Sequence, residues 1–200
     1  LLVLAPTGAL ERTITGGIAP FTEPFDVATD AAGTVYVLDA EAGAIILFTP
    51  DGDYVRTITP VDATIMRARG LTVDATGRIW VAHTPGQRLV VLAADGALLH
   101  EFPVWPNGDA QVTDVAVMDN GAPYAVAMGI NKLVEYDDLG NRVDSWDVAP
   151  ANTIDGPHLA AGDGAAAPLY VTQPEESRVV LHQAGGAHGD SGHGDSGHGD

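Results

Sequence analysis

Residues Pro24 to Ile58 read PFDVATDAAGTVYVLDAEAGAIILFTPDGDYVRTI, four short apolar runs separated by turn signals. FDVATD is an apolar stretch closed by an acid, and TVYVLD is a β-branched and aromatic run of strand length. AIILF is a third run, and DYVRTI alternates as an outer strand does. Asp30-Ala-Ala-Gly33 and Pro50-Asp-Gly52 punctuate them, the second a strong turn signal between strands. The stretch is therefore expected to fold as a four-stranded meander.

Looser copies of this unit fill the chain. Gly8, Gly52, Gly96 and Gly140 recur every 44 residues, and Asp30, Asp74, Asp119 and Asp163 follow at intervals of 44, 45 and 44. The second-strand aromatic Tyr36 returns as Trp80, Tyr124 and Tyr170. A four-strand unit of about 40–50 residues, repeated, marks a β-propeller. Each blade has two apolar faces, so blades must stack around an axis to bury them. The expected class is all-β, a propeller of four-stranded blades.

The pattern resembles the NHL repeat, best in FDVATDAAGTVYVLD and RGLTVDATGRIWVAH, and the resemblance runs from residue 1 to about 183. It implies a propeller, commonly of six blades. NHL-like and related propellers include ligand sensors, protein or RNA platforms, and enzymes of the amidating-lyase and sugar-lactone-hydrolase kinds. The copies depart from the pattern at two places. The Asn-Arg that usually opens the third strand is Gly43-Ala44, Gln87-Arg88, Asn131-Lys132 and Ser177-Arg178. The Asp closing the second strand is present as Asp39, with His83, Ala127 and Gln173 elsewhere.

Taken in order, the blades are expected at 1–16 (the last two strands of one blade), 17–60, 61–104, 105–148 and 149–183, the last lacking its outer strand. About four blades are present, and the strand arithmetic favours part of a larger ring. Unpaired blade edges at either end make self-association an expected partner mode. Residues 184–200 form a Gly/His/Asp/Ser low-complexity tail.

The chain has 200 residues, 46% of them hydrophobic and 24 of them glycine, which suits a glycine-punctuated globule with a core to bury. No run nears the ~20 apolar residues of a membrane span, so no membrane insertion is expected. Net charge is −18, with Lys132 the only lysine. So acidic a surface repels phosphate backbones, which sets nucleic acid aside as a partner. The absence of cysteine excludes disulfides and thiolate metal sites. The start, without Met or a signal peptide, reads as a piece of a longer protein, and an extracellular or periplasmic location is expected.

Candidate sites follow from the repeat. Proline- or glycine-bearing connectors before each inner strand differ in every blade, and variable loops on a rigid scaffold carry specificity. Four residues near these loops are candidate ligand contacts. Arg67 and Arg69 are the clustered basic residues, suited either to an anionic ligand or to pairing with the abundant Asp. Trp105, held between prolines, suits a glycan- or peptide-stacking platform or a plug beneath the loop. His83, at a second-strand end, is expected on the same rim.

By spacing, Asp26, Gly70, Asp114 and His158 occupy equivalent places near the axis. The two acids and the histidine suit a divalent cation or acid–base work, or simply satisfy strand backbone and channel water. In the tail, His188, His193 and His198 alternate with Asp190, Asp195 and Asp200, a donor set suited to Zn²⁺ or Cu²⁺ in a stretch that otherwise reads as a linker. The cofactor is thus open, with a divalent metal (Ca, Zn or Cu) as the candidate.

The expected function is a non-enzymatic binding or assembly module of an exported protein, with a protein, small-molecule or glycan ligand on its variable-loop face. The alternative is a metal-dependent lyase or lactone hydrolase with its ion at the axis.

Overall fold

The computed structural model describes residues 1–107, 109–150, 156–162 and 168–183. It is all-β, a four-blade propeller preceded by a two-stranded ribbon. The ribbon is β1 (Leu2–Leu4) and β2 (Leu10–Thr13). The first blade is β3 (Pro24–Thr29), β4 (Val35–Asp39), β5 (Ala44–Phe48) and β6 (Tyr54–Ile58). The second is β7 (Gly70–Val73), β8 (Ile79–His83), β9 (Arg88–Leu92) and β10 (Leu98–Pro103). The third is β11 (Gln111–Val117), β12 (Pro123–Met128), β13 (Lys132–Tyr136) and β14 (Arg142–Asp147). The fourth has three described strands, β15 (Leu159–Ala161), β16 (Pro168–Gln173) and β17 (Arg178–Gln183). Every blade is an antiparallel meander in chain order.

The middle strands read as continuous apolar runs because both of their faces are buried. Alternation divides them between two seams. Tyr36, Leu38, Ile45 and Leu47 face the second blade, where Leu71, Ile79, Val81, Val90 and Leu92 meet them. Their neighbours Val37, Ile46 and Phe48 face the ribbon, packing with Ile14 and Val3. Trp80, Ala82, Leu89 and Val91 pack in the same way on Val115, Ala125, Val134 and Tyr136 of the third blade. Tyr124, Val126 and Leu133 pack on Leu169 and Val171 of the fourth. One-residue alternation thus makes each blade the floor of one seam and the roof of the next.

The repeating acid and aromatic lock the first two blades internally. Asp30 takes the amides of Ala32 and Thr34 at 2.9 Å and the Tyr36 hydroxyl at 3.2 Å. Asp74 takes the amides of Thr76 and Arg78, the Arg78 Nε at 2.6 Å and the Trp80 Nε1 at 2.9 Å. Burial raises the Asp74 carboxyl, but these hydrogen bonds outweigh it and hold the group below its usual range. The 44-residue glycine sits where the chain turns between third and fourth strands: Gly8, Gly52, Gly96 and Gly140 have φ of 82°, 86°, 96° and 82°. Glycine adopts that left-handed region without steric cost.

The inner strands β3, β7, β11 and β15 surround a channel. At their C-terminal ends a cavity of about 450 Å³ is lined from all four, including Asp30, Asp74, Asp119 and Gly162. Their N-terminal ends make the opposite face. There the connector before β7 meets the loop after β4, and the candidate residues gather.

Candidate functional site

The axial site is built from inner-strand starts. Asp26 accepts the amide of Val27 at 2.8 Å and, across the seam, that of Leu71 in the second blade at 2.6 Å. Asp114 repeats this one seam further on, accepting Val115 N–H at 2.8 Å and Leu159 N–H at 2.8 Å. His158 Nδ1 lies 3.3 Å from the same Asp114 oxygen. Between the two acids the equivalent residue is Gly70, where a Cβ would stand 2.5 Å from Asp114 Oδ1 and 2.6 Å from its Cα. Glycine here is required by close approach, and it lets Asp114 lean toward the second blade. The interblade bond missing at this seam is supplied from the rim, by Thr84 Oγ1 donating to Val112 O at 2.6 Å.

Burial pushes the Asp26 carboxyl up to about 7, with the Asp114 charge adding to it; the amides of Val27 and Leu71 and the nearby His158 pull the other way. Two carboxyls and an imidazole therefore share one electrostatic neighbourhood. No three His, Asp or Glu side chains among the described residues group closely enough to hold an ion. Every carboxylate oxygen of Asp26 and Asp114 already takes a backbone amide. Of the candidate metal ligands, Asp26 and Asp114 each bond the next inner strand, because residue i of one lies beside residue i + 45 of the next, and His158 stands beside Asp114. The tail candidates His188, His193, His198, Asp190 and Asp195 lie outside the described residues.

A second site opens at the seam of the first two blades. A cavity of about 320 Å³ is lined by Glu23, Phe25, Ala40 and Glu41 of the first blade and by Arg67, Ala68 and Arg69 of the connector. The Arg69 guanidinium lies 5.5 Å from the Phe25 ring centroid. Arg67 Nε stands 4.0 Å from Glu41 Oε2, with side chains 70% and 52% exposed. The surrounding backbone is fixed from both blades. Asp39 accepts the amides of Thr22 and Glu23 at 2.8 and 2.7 Å. Arg67 N–H donates to Ala40 O at 2.8 Å and Arg69 N–H to Ala82 O at 3.0 Å. Arg67 itself is left-handed, with φ of 60°, a conformation that non-glycine residues adopt at a cost.

His83 departs from the expectation of a rim residue. It is 4% exposed, and its Nε2 lies 3.1 Å from Met66 O. Burial and the Arg88 guanidinium hold the imidazole below its usual range. Its Nε2 faces a carbonyl oxygen and so is the donor to Met66. The connector closes over the end of β8, which is why the side chain is covered; it anchors the residue next to Arg67 instead of facing solvent. Trp105 is partly buried against the core of the second and third blades, and Arg142 lies over its ring at 4.3 Å from the centroid. One face of the indole is thus taken by the protein.

Sequence reasoning missed Glu23, Phe25 and Glu41. The available signal was Asp39: unlike His83, Ala127 and Gln173 at the equivalent ends, it can accept two amides, and it thereby fixes the segment that carries Glu23.

No protein-family model and no curated protein sequence matches the chain. Among solved structures it superposes on a streptogramin B lyase with a TM-score of 0.62 and 17% identity, over 90% of this chain and 60% of that one. Virginiamycin B lyase from Staphylococcus aureus, in selenomethionine form, gives a TM-score of 0.59 and 16% identity, over 80% of this chain and 55% of that one. A catalytically inactive histidine-to-alanine variant of that lyase with quinupristin gives 0.61 and 13%, over 90% and 61%. The chain therefore spans about 60% of the length of the first of these lyases. At such identities the likeness shows the fold, and the fold is a β-propeller.

Proposed function

We propose that this chain is a ligand-binding portion of a non-enzymatic, NHL-type propeller of an exported protein, taking its partner on the face where the inner strands begin. The observation that carries the reading is the cavity at the first seam. It places side chains of both charges and an aromatic ring on a backbone held by hydrogen bonds from two blades. A largely preformed concavity with a few convergent polar groups is the usual form of a small-ligand site. The axial carboxylates favour binding over catalysis less directly, since both serve as acceptors for neighbouring strands.

The test is protein-observed NMR with a compound set spanning amino acids and dipeptides, neutral sugars and nucleosides. Binding that shifts the amides of Phe25, Arg67 and Arg69 is expected. No perturbation of this face by any class would overturn the reading. Turnover of a lactone or ester that Asp26→Asn or Asp114→Asn abolishes would replace it with the enzymatic alternative.

Self-association is a second reading, favoured by apolar side chains on the first and last sheets. Leu2, Leu4 and Leu10 are 55–63% exposed on the ribbon, and Tyr170, Val179 and Leu181 are 39–60% exposed on the fourth blade. Light scattering across a concentration series is expected to show assembly that Leu181→Asp weakens; a monomer throughout would discard it.

A further inference from the structure

The charges around the seam cavity define a ligand class. Arg67 and Arg69 supply cations from the connector, and Glu23 and Glu41 supply anions from the first blade, with Phe25, Ala40 and Ala68 completing the lining. Two of the nine basic residues of a chain with net charge −18 thus line one pocket. A simple anion would meet the two guanidinia only after approaching a strongly negative surface, and a simple cation would meet those guanidinia inside. A molecule carrying both charges avoids each difficulty, since its net charge is zero.

We infer that the cavity binds a zwitterion of amino-acid or dipeptide size, its carboxylate on Arg67 and Arg69, its ammonium on Glu23 and Glu41, and an apolar side chain against Phe25. The inference rests on the binding-module reading above and narrows it to one chemical class. Three observations support it. The planar guanidinium fork matches a carboxylate in a way an ammonium does not. Arg67 and Glu41 are paired only at 4.0 Å, and both are more than half exposed. Such a pair contributes little to stability and is readily replaced by a ligand's own charges. Finally, the backbone under each charge is already fixed: Asp39 holds Glu23, Ala40 O holds Arg67, Ala82 O holds Arg69, and His83 holds Met66. The left-handed turn at Arg67 is maintained by those bonds, so little ordering remains for a ligand to impose.

The experiment is isothermal titration calorimetry on the 200-residue chain with alanyl-phenylalanine, its C-terminal amide, its N-acetyl derivative and the doubly blocked form. The free dipeptide is expected to bind, with each singly blocked form at least tenfold weaker and the doubly blocked form weaker still. Arg67→Gln with Arg69→Gln should erase the preference for a free carboxylate, and Glu41→Gln should reduce the preference for a free amine. These side chains lie outside the core, and circular dichroism confirms that each variant is folded. Equal binding of the doubly blocked form, or no binding of any form, overturns the zwitterion assignment without recourse to a variant. If a sugar or nucleoside then binds at Phe25, Arg67 and Arg69 by NMR, the binding-module reading stands and only the ligand class fails. If no compound class binds there, both fail.

Discussion

Asp26 accepts the backbone amide of Leu71 at 2.6 Å, 45 residues and one blade away, and Asp114 does the same for Leu159, also 45 residues away, at 2.8 Å. At these two seams a carboxylate thus joins adjacent inner strands that share no sheet hydrogen bonds. Asp114 is 6% exposed, so removing its side chain strands the amides of Val115 and Leu159. Asp114→Ala is expected to lower stability by about 2 kcal/mol, since an orphaned buried donor costs ~1–3 kcal/mol. Asp114→Asn, which keeps one acceptor, should cost less. Urea denaturation measures both, and faster hydrogen exchange at Leu159 in the alanine variant would localise the effect; unchanged exchange there would argue against the fastening role.

Asp26 also predicts a pH dependence. With a folded pKa of about 7 against an ordinary 3.8, Asp26 favours the folded state when protonated. Its contribution is complete below pH ~3.8 and is lost as pH rises to about 7. His83, held below 6.5, acts in the opposite sense. Its contribution is present above pH 6.5 and is lost as pH falls toward its folded value. Asp74, held below 3.8, loses its contribution only below that pH. Asp26→Asn removes the first effect alone. The stability of the wild type relative to this variant should therefore fall by on the order of 2 kcal/mol between about pH 4 and pH 8, a figure reduced from the full linkage value because Asp26 is only partly buried. A flat difference would show that Asp26 titrates as an ordinary surface acid.

Asp74 should matter more than any exposed repeat acid. Its side chain is 3% exposed, and it takes the Arg78 guanidinium at 2.6 Å and the indole N–H of Trp80, which is itself 1% exposed. Asp74→Ala leaves both donors without this acceptor inside the blade, at a cost of about 3 kcal/mol. In a chain of this length that is a fall in Tm of roughly 6–12 °C. Calorimetry checks it. Asp137, which caps a turn through Leu139 and Asn141 on the surface, should show a much smaller effect on the same substitution.

What the sequence carried most clearly was whatever recurs within one blade. Asp30 and Tyr36, or Asp74 and Trp80, stand six residues apart because acid and aromatic meet across a single turn, so their period survives in the linear text. The seams are harder to read. That Gly70 lies against Asp114 depends on how far one inner strand is displaced from the next, and no local pattern encodes that displacement. His83 illustrates a related limit. Its place at the end of β8 is legible, but its burial depends on a connector of variable length folding back so that Met66 O covers the ring. The seam cavity combines both difficulties: Glu23 and Glu41 read as ordinary surface acids until Arg67 and Arg69 are seen opposite them.

Gly70 gives the sharpest test of seam packing. Its backbone is not left-handed, so no conformational demand requires glycine there; the requirement is contact with Asp114, whose Cα would lie 2.6 Å from an added methyl. A flexible side chain can turn away, but a neighbouring strand's backbone must move, and overpacking of this kind costs ~1–3 kcal/mol. Gly70→Ala is therefore expected to destabilise the chain by about 2 kcal/mol, and Asp114→Ala in the same chain should not rescue it, because the offending atom is main chain. Gly77 is the control. It has φ of 82° and open space around it, so Gly77→Ala should cost about 1 kcal/mol from conformation alone. Chemical denaturation of the three variants separates the causes. Rescue of Gly70→Ala by Asp114→Ala would mean that the clash is with the carboxylate alone, and that adjacent inner strands are not held as closely as their backbones indicate.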